Sequence, residues 1–114
     1  MTNCIFCRIA SKELPSGIVY EDENTLAFKD INPISPVHIL VIPKKHFCHL
    51  SQISEEDPHL AGHLLFVVNH IAKQEGLTEN GYRVVINCGE WGGQIVQHLH
   101  LHLLGGRQLT NELG

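Results

Sequence analysis

The chain has 114 residues, 43% of them hydrophobic and 18% charged, with a formal net charge of -4. This length fits one domain, read as 1–114, that buries roughly two thirds of the surface its unfolded chain exposes. The acidic balance offers no field to hold a nucleic-acid backbone, and no apolar run approaches the ~18 residues that spanning a bilayer requires.

The start, Met1-Thr2-Asn3-Cys4, has neither the basic nor the apolar region of a secretion signal, so a cytoplasmic location is expected. In a reducing compartment Cys4, Cys7, Cys48 and Cys88 read as thiols or metal ligands rather than disulfides. Ile5, Phe6 and Ile9 form a short helical stripe that stops near Pro15-Ser16-Gly17, a turn composition. Ile18-Val19-Tyr20 and Thr25-Leu26-Ala27-Phe28 are β-rich and flank a polar loop of hairpin length. Pro33 and Pro36 forbid regular structure over 30–36, and His38 to Pro43 then reads as a nearly continuous apolar strand from the middle of a sheet.

Ser54 is expected to cap one long helix, with Glu55, Glu56 and Asp57 in its first turn, where negative charge complements the helix dipole. Leu60, Leu64, Val67, Val68 and Ile71 keep helical periodicity as far as Gly76, a C-terminal stop. Tyr82 to Asn87 reads as a strand, Gly89 to Gln94 as a loop, and Val96 to Leu104 as the last strand. The order predicts an α+β domain, an antiparallel sheet with its helices on one face.

Residues 98–104 read His-Leu-His-Leu-His-Leu-Leu. On an extended chain this alternation puts His98, His100 and His102 on one face at roughly 6.6 Å intervals and the leucines on the other. Three clustered imidazoles serve near pH 7 as nucleophile, proton carrier or metal ligand. A zinc site would use the His-x-His geometry. Gly92-Gly93-Gln94 just before the strand favours an anion instead, because glycines let backbone N–H groups approach a phosphate closely. His59, His63 and His70 share one stripe of the long helix and read as a solvated or subunit-contact face rather than a metal site. Trp91 in the glycine-rich loop either covers the phosphate site or anchors the loop. Cys4-x-x-Cys7 taken alone stays open between a redox pair, half a metal site and two small buried residues.

The seven-residue run resembles the signature of the histidine-triad family. The likeness extends through Cys4-Ile5-Phe6-Cys7, Ala27 to Ile31, His38 to His46, Asn87, Gly92-Gly93-Gln94 and Gly105-Gly106-Arg107. It is nearest to the Hint-like branch of homodimeric nucleoside phosphoramidases. The resemblance implies a histidine-triad fold: a five-stranded antiparallel sheet with one long and one short helix, extended across a homodimer. It implies that His100 attacks the α-phosphorus of a purine nucleoside 5'-phosphoramidate, giving a nucleotidyl-histidine that water hydrolyses to AMP or GMP. His102 would touch the phosphate and help protonate the leaving group, with His38 and His98 as a supporting relay and no metal needed for the chemistry. Asp30 would hold both ribose hydroxyls, Phe6, Ile9, Phe28, Ile31 and Leu40 would wall the base, and Asn87, Gly93, Gln94 and Val96 would face the phosphate.

At the position after Gly-Gly-Gln, where many phosphoramidases carry a hydroxyl, this chain has Ile95, which donates no hydrogen bond. Relatives also suggest that Cys4 and Cys7 join His46 and His98 in a closed structural zinc site. Two rival readings are a dinucleoside polyphosphate hydrolase of the same superfamily and a non-enzymatic nucleotide- and zinc-binding regulatory module. Neither a membrane nor a nucleic-acid polymer is an expected partner.

Overall fold

The structure, a computed structural model, describes residues 4–113, so residues 1–3 of the start read for a secretion signal lie outside it. Five antiparallel strands, β1 (Ile18–Glu21), β2 (Thr25–Lys29), β3 (Val37–Pro43), β4 (Arg83–Ile86) and β5 (Leu101–Gly105), lie side by side in the order β1-β2-β3-β5-β4. Three helices accompany them: α1 (Ile5–Ala10), α2 (Leu50–Glu56) and α3 (Pro58–Gln74). The α+β class, the hairpin and the central apolar strand are as the sequence predicts. No helix among the described residues is long and apolar enough to cross a membrane.

The two sheet faces divide the chain's chemistry. Ala27, Ile39, Val41, Leu101 and Leu103 point one way and pack with Phe47, Ile53, Leu64, Val67 and Ile71 in the main core beneath α2 and α3. Leu26, Phe28, Leu40 and Ile42 point the other way, against Phe6 and Ile9 of α1. Helices therefore cover both faces, not one. β3 is apolar at nearly every position because each face has its own cover. Strand pairing sets Leu40 opposite His102 and His38 opposite Leu104, which makes His38 and His102 diagonal neighbours on the α1 face.

Two element boundaries differ from expectation. The single helix predicted from Ser54 is two helices. Asp57 accepts the Leu60 amide at 3.0 Å and Pro58 occupies the first helical turn, so the helix restarts there. Ser54 instead lies in the last turn of α2, donating back to the Ser51 carbonyl at 3.1 Å, and Glu55 and Glu56 end that helix rather than start one. The last strand pairs only from Leu101, because the Leu99 amide donates to the Phe47 carbonyl at 2.7 Å and leaves the ladder. Gly76, in the left-handed region at φ 71°, closes α3 as predicted.

Asp57→Ala should lower the unfolding free energy by about 1 kcal/mol, the usual value of an N-cap. Ser54→Ala should stay within about 0.5 kcal/mol of wild type, as an ordinary exposed change does. Urea unfolding of the two variants decides which residue caps the long helix.

Candidate active site

A cavity of about 860 Å³ opens on the α1 face, within the range of small-ligand sites. Of the residues singled out from the sequence, Phe6, Ile9, Phe28, Asp30, Ile31, Leu40, Asn87, Gly93, Ile95, Val96, His100 and His102 all line it. Ile31 and Ile95 sit at its rim, Ile95 90% exposed. Gln94 does not line it. Its amide accepts from Gly89 N–H at 2.9 Å and donates to the carbonyls of Cys48 at 2.5 Å and Val96 at 3.0 Å, so its role is to fix the loop. Gly92 is part of the same construction, since a Cβ there would meet the Cys88 carbonyl at 2.3 Å. Trp91 is wholly exposed, neither covering the cavity nor anchoring the loop. Ile5, Leu14, Pro15, Ser16, Gly17, Lys29 and Asn32 also line it, none of them singled out from the sequence as a site residue.

Backbone groups decide which nitrogen of each histidine carries its proton. His100 Nδ1 lies 2.8 Å from the His98 carbonyl, an acceptor only, so Nδ1 bears the hydrogen and Nε2 keeps a bare lone pair. His98 Nε2 lies 2.8 Å from the Pro43 carbonyl, so its bare nitrogen is Nδ1. The Ile34 amide donates to His38 Nδ1 at 3.2 Å, which puts the His38 proton on Nε2. His38 Nε2 is 2.9 Å from His102 Nδ1 and 3.4 Å from Asp30 Oδ2. The His38 proton is thus donated to His102, whose own proton must lie on Nε2. One ring offers a lone pair and its neighbour offers a hydrogen.

Burial keeps these rings neutral. Desolvation pushes His98 and His102 down to about 4, from 6.5, with neighbouring imidazoles adding to the effect and Asp30 opposing it at His102. Burial lowers His38 and His100 as well, against the pull of Asp30. Phe6 packs edge-on to His100 at 5.1 Å and to His98 at 5.9 Å between ring centres, excluding water from both. Asp30 Oδ1 accepts the Asn32 amide at 2.8 Å, leaving the rest of the carboxylate beside the cavity.

Cys4, Cys7, His46 and His98 bring one ligand atom each to within 4.8 Å of one another. Cys4 Sγ to His98 Nδ1 is 3.3 Å, Cys7 Sγ to His46 Nδ1 is 3.3 Å and Cys7 Sγ to His98 Nδ1 is 3.5 Å. A tetrahedral zinc with ordinary bond lengths has a sulfur-to-nitrogen edge of about 3.5 Å, so the four residues fit that ion. The Pro43 carbonyl fixes the His98 tautomer with Nδ1 toward the two thiols, the outer contact a ligating histidine usually has. Asp30, His38 and His102 also converge, but His38 Nε2 carries a hydrogen, and releasing that nitrogen for a metal would set a ring N–H against the Ile34 amide. That group is a hydrogen-bonded chain running through Asp30, His38 and His102.

The helix histidines form no metal cluster among the described residues. His63 meets Asp22 at 2.6 Å, and Phe66 stacks between the His63 and His70 rings, with His70 against Tyr20. This stripe ties α3 to the β1–β2 hairpin. Although burial alone would raise the Asp22 carboxyl, hydrogen bonds from His63, Tyr20 and the Asn24 amide bring it down to about 2.

The sequence profile of the HIT domain matches residues 11–109. A 14 kDa zinc-binding protein of Zea mays is 55% identical over 108 residues, covering 93% of this chain and 84% of that protein. Among solved structures, a HIT family hydrolase from Legionella pneumophila has a TM-score of 0.94 at 49% identity, covering 98% of this chain and 100% of that one. A zinc-bound histidine triad family protein from Mycobacterium smegmatis has a TM-score of 0.82 at 36% identity, covering 98% of this chain and 80% of that one.

The depressed histidines make stability depend on pH. Between about 4 and 6.5 the unfolded chain holds protons that folded His98 and His102 refuse, so stability rises with pH through that window and falls as the solution is acidified. Urea unfolding of metal-free protein should show this slope, and His102→Gln should reduce it.

Proposed function

The chain belongs to the histidine-triad (HIT) domain family, and from that premise we propose that it is a hydrolase of purine nucleoside 5'-phosphoramidates acting through a covalent nucleotidyl-His100. The observation that carries the reading is the bare Nε2 of His100 on the wall of the cavity, its Nδ1–H anchored on the His98 carbonyl. An imidazole so fixed is a ready nucleophile at neutral pH, and its neutrality follows from burial. The solved relative named a hydrolase has the same fold, in line with this reading.

Each residue has a defined part. The base lies among Phe6, Ile9, Phe28 and Leu40, and the Asp30 carboxylate accepts hydrogen bonds from the vicinal ribose hydroxyls. His102 Nε2–H faces the phosphate. The phosphoramidate binds with its leaving nitrogen protonated, and His102 keeps its single hydrogen on Nε2, so the His38 hydrogen bond to its Nδ1 is undisturbed. His100 Nε2 forms its bond to phosphorus as the phosphorus–nitrogen bond breaks, and the leaving nitrogen keeps its proton and departs as a neutral amine, with His102 Nε2–H on a phosphoryl oxygen. Water then attacks phosphorus and gives up a proton to solvent, His100 is expelled neutral, and AMP leaves. The Nδ1–H of His100, held throughout by the His98 carbonyl, stabilises the cationic adduct. Ile95 at the rim gives the leaving group an apolar neighbour instead of a hydroxyl.

His100→Ala should lower turnover of an adenosine phosphoramidate at least about a thousandfold while AMP binding changes little. Mass spectrometry of acid-quenched wild type should find one nucleotidyl group on His100. Equal, slow turnover by both proteins and no adduct would favour a nucleotide-binding module instead.

Zinc in the Cys4, Cys7, His46 and His98 site would contribute stability and no step of the reaction, clamping α1 to the segment that leads into β5. A homodimer is supported by β4, which ends the sheet, and by the exposed Leu65 and Phe66 of α3. Native mass spectrometry reads both features. The expected species is a dimer with one zinc per chain, reverting to metal-free protein of lower melting temperature after chelation; a metal-free monomer would contradict it. A cytoplasmic location accords with the reduced thiols such a site needs.

A further inference from the structure

We propose that Arg107 is a positioning residue of this active site, holding the Ile34 carbonyl so that the Ile34 amide fixes the proton of His38 and, through it, the proton His102 presents. The inference rests on the nucleotidyl-transfer reading of the cavity. Residues 30–36 join β2 to β3, carry Asp30 at one end and include two prolines that donate no amide hydrogen. The Ile34 side chain is 64% exposed and gives the loop no anchor in the core. Its backbone is located from two sides: the amide on His38 Nδ1 at 3.2 Å and the carbonyl under Arg107 Nη2 at 3.0 Å.

The segment that presents Arg107 is fitted to the same loop. Gly105 pairs with Val37, and Gly106 has φ 92° with space so tight that a Cβ would stand 2.8 Å from Pro36 Cβ. Arg107 Nη1 donates to the Gln108 carbonyl at 3.0 Å, which orients the guanidinium. Arg107 does not line the 860 Å³ cavity, so its influence reaches the substrate only through Ile34. This gives Gly105-Gly106-Arg107 a physical task that neither the fold nor the chemistry otherwise assigns.

Without Arg107 the Ile34 amide is free to leave His38. The two neutral tautomers of His38 then become comparable. In the Nδ1–H form its Nε2 becomes an acceptor, His102 turns an Nδ1–H toward it, and His102 Nε2 loses the hydrogen that faces the phosphate.

The test is Arg107→Ala beside Arg107→Lys in the full chain. Long-range ¹H–¹⁵N correlation spectra report the His38 tautomer, and kinetics with an adenosine phosphoramidate report kcat and KM separately. For Arg107→Ala the account expects both His38 tautomers, and a kcat lower by between about tenfold and about a hundredfold, the scale of a small misplacement. KM should stay within about twofold, and Arg107→Lys should restore most of kcat and the single tautomer. A His38 that stays wholly Nε2–H in Arg107→Ala overturns the proposal, as does a variant that loses melting temperature or raises KM with kcat intact. If wild type turns over no phosphoramidate the proposed reaction fails, while the His38 spectrum still decides the role of Arg107.

Discussion

The site depends on backbone carbonyls and amides fixing the protons of four histidines. A neutral imidazole in water exchanges its hydrogen between two nitrogens, and only one arrangement is useful at each position here. The His98 carbonyl leaves His100 Nε2 bare, the Pro43 carbonyl turns His98 Nδ1 toward the thiols, and the Ile34 amide sends the His38 hydrogen to His102. These partners belong to the folded chain and do not reorganise during reaction, which is the electrostatic advantage of an enclosed site. Desolvation supplies the other half of the constraint, since a protonated ring at any of these positions would break the pattern.

The same arrangement separates two chemistries that one histidine-rich strand would otherwise confuse. His98, buried and turned toward Cys4 and Cys7, sits on the metal side of Phe6 contact, whereas His100 and His102 face the cavity. His38 reaches the second group because β3 and β5 place it diagonally from His102 on one face of the sheet. α1 serves both, with Cys4 and Cys7 at its start and Phe6 and Ile9 packed into the smaller core. Clamping α1 through a metal would therefore steady one wall of the nucleotide cavity without an ion near phosphorus.

Much of this was legible in the chain because side-chain pattern carries it. The alternation of His98 to Leu104 assigns one face to imidazoles and one to core, even though the ladder starts only at Leu101. Cys4, Cys7, His46 and His98 were gathered through family resemblance, a relation that local spacing alone does not contain. What escaped was set by the backbone or by competition between neighbours. The Ile34 amide has no signature in a side chain, and the exposed isoleucine above it suggests nothing catalytic. Ser54 and Asp57 are both good caps, and Pro58, fitted to a first helical turn, decided for Asp57. The motif sets Gln94 with the phosphate, yet its amide is committed to Gly89, Cys48 and Val96. α1 was too short for periodicity to say which sheet face it covers, and the answer came from the second apolar face of β2 and β3.

The most direct measurement is the nitrogen spectrum of the triad at neutral pH, with each ring assigned. The account predicts a hydrogen on Nδ1 of His100 and on Nε2 of His38, His98 and His102. A hydrogen found on Nε2 of His100, or a charged ring there, would leave no lone pair for phosphorus and contradict it.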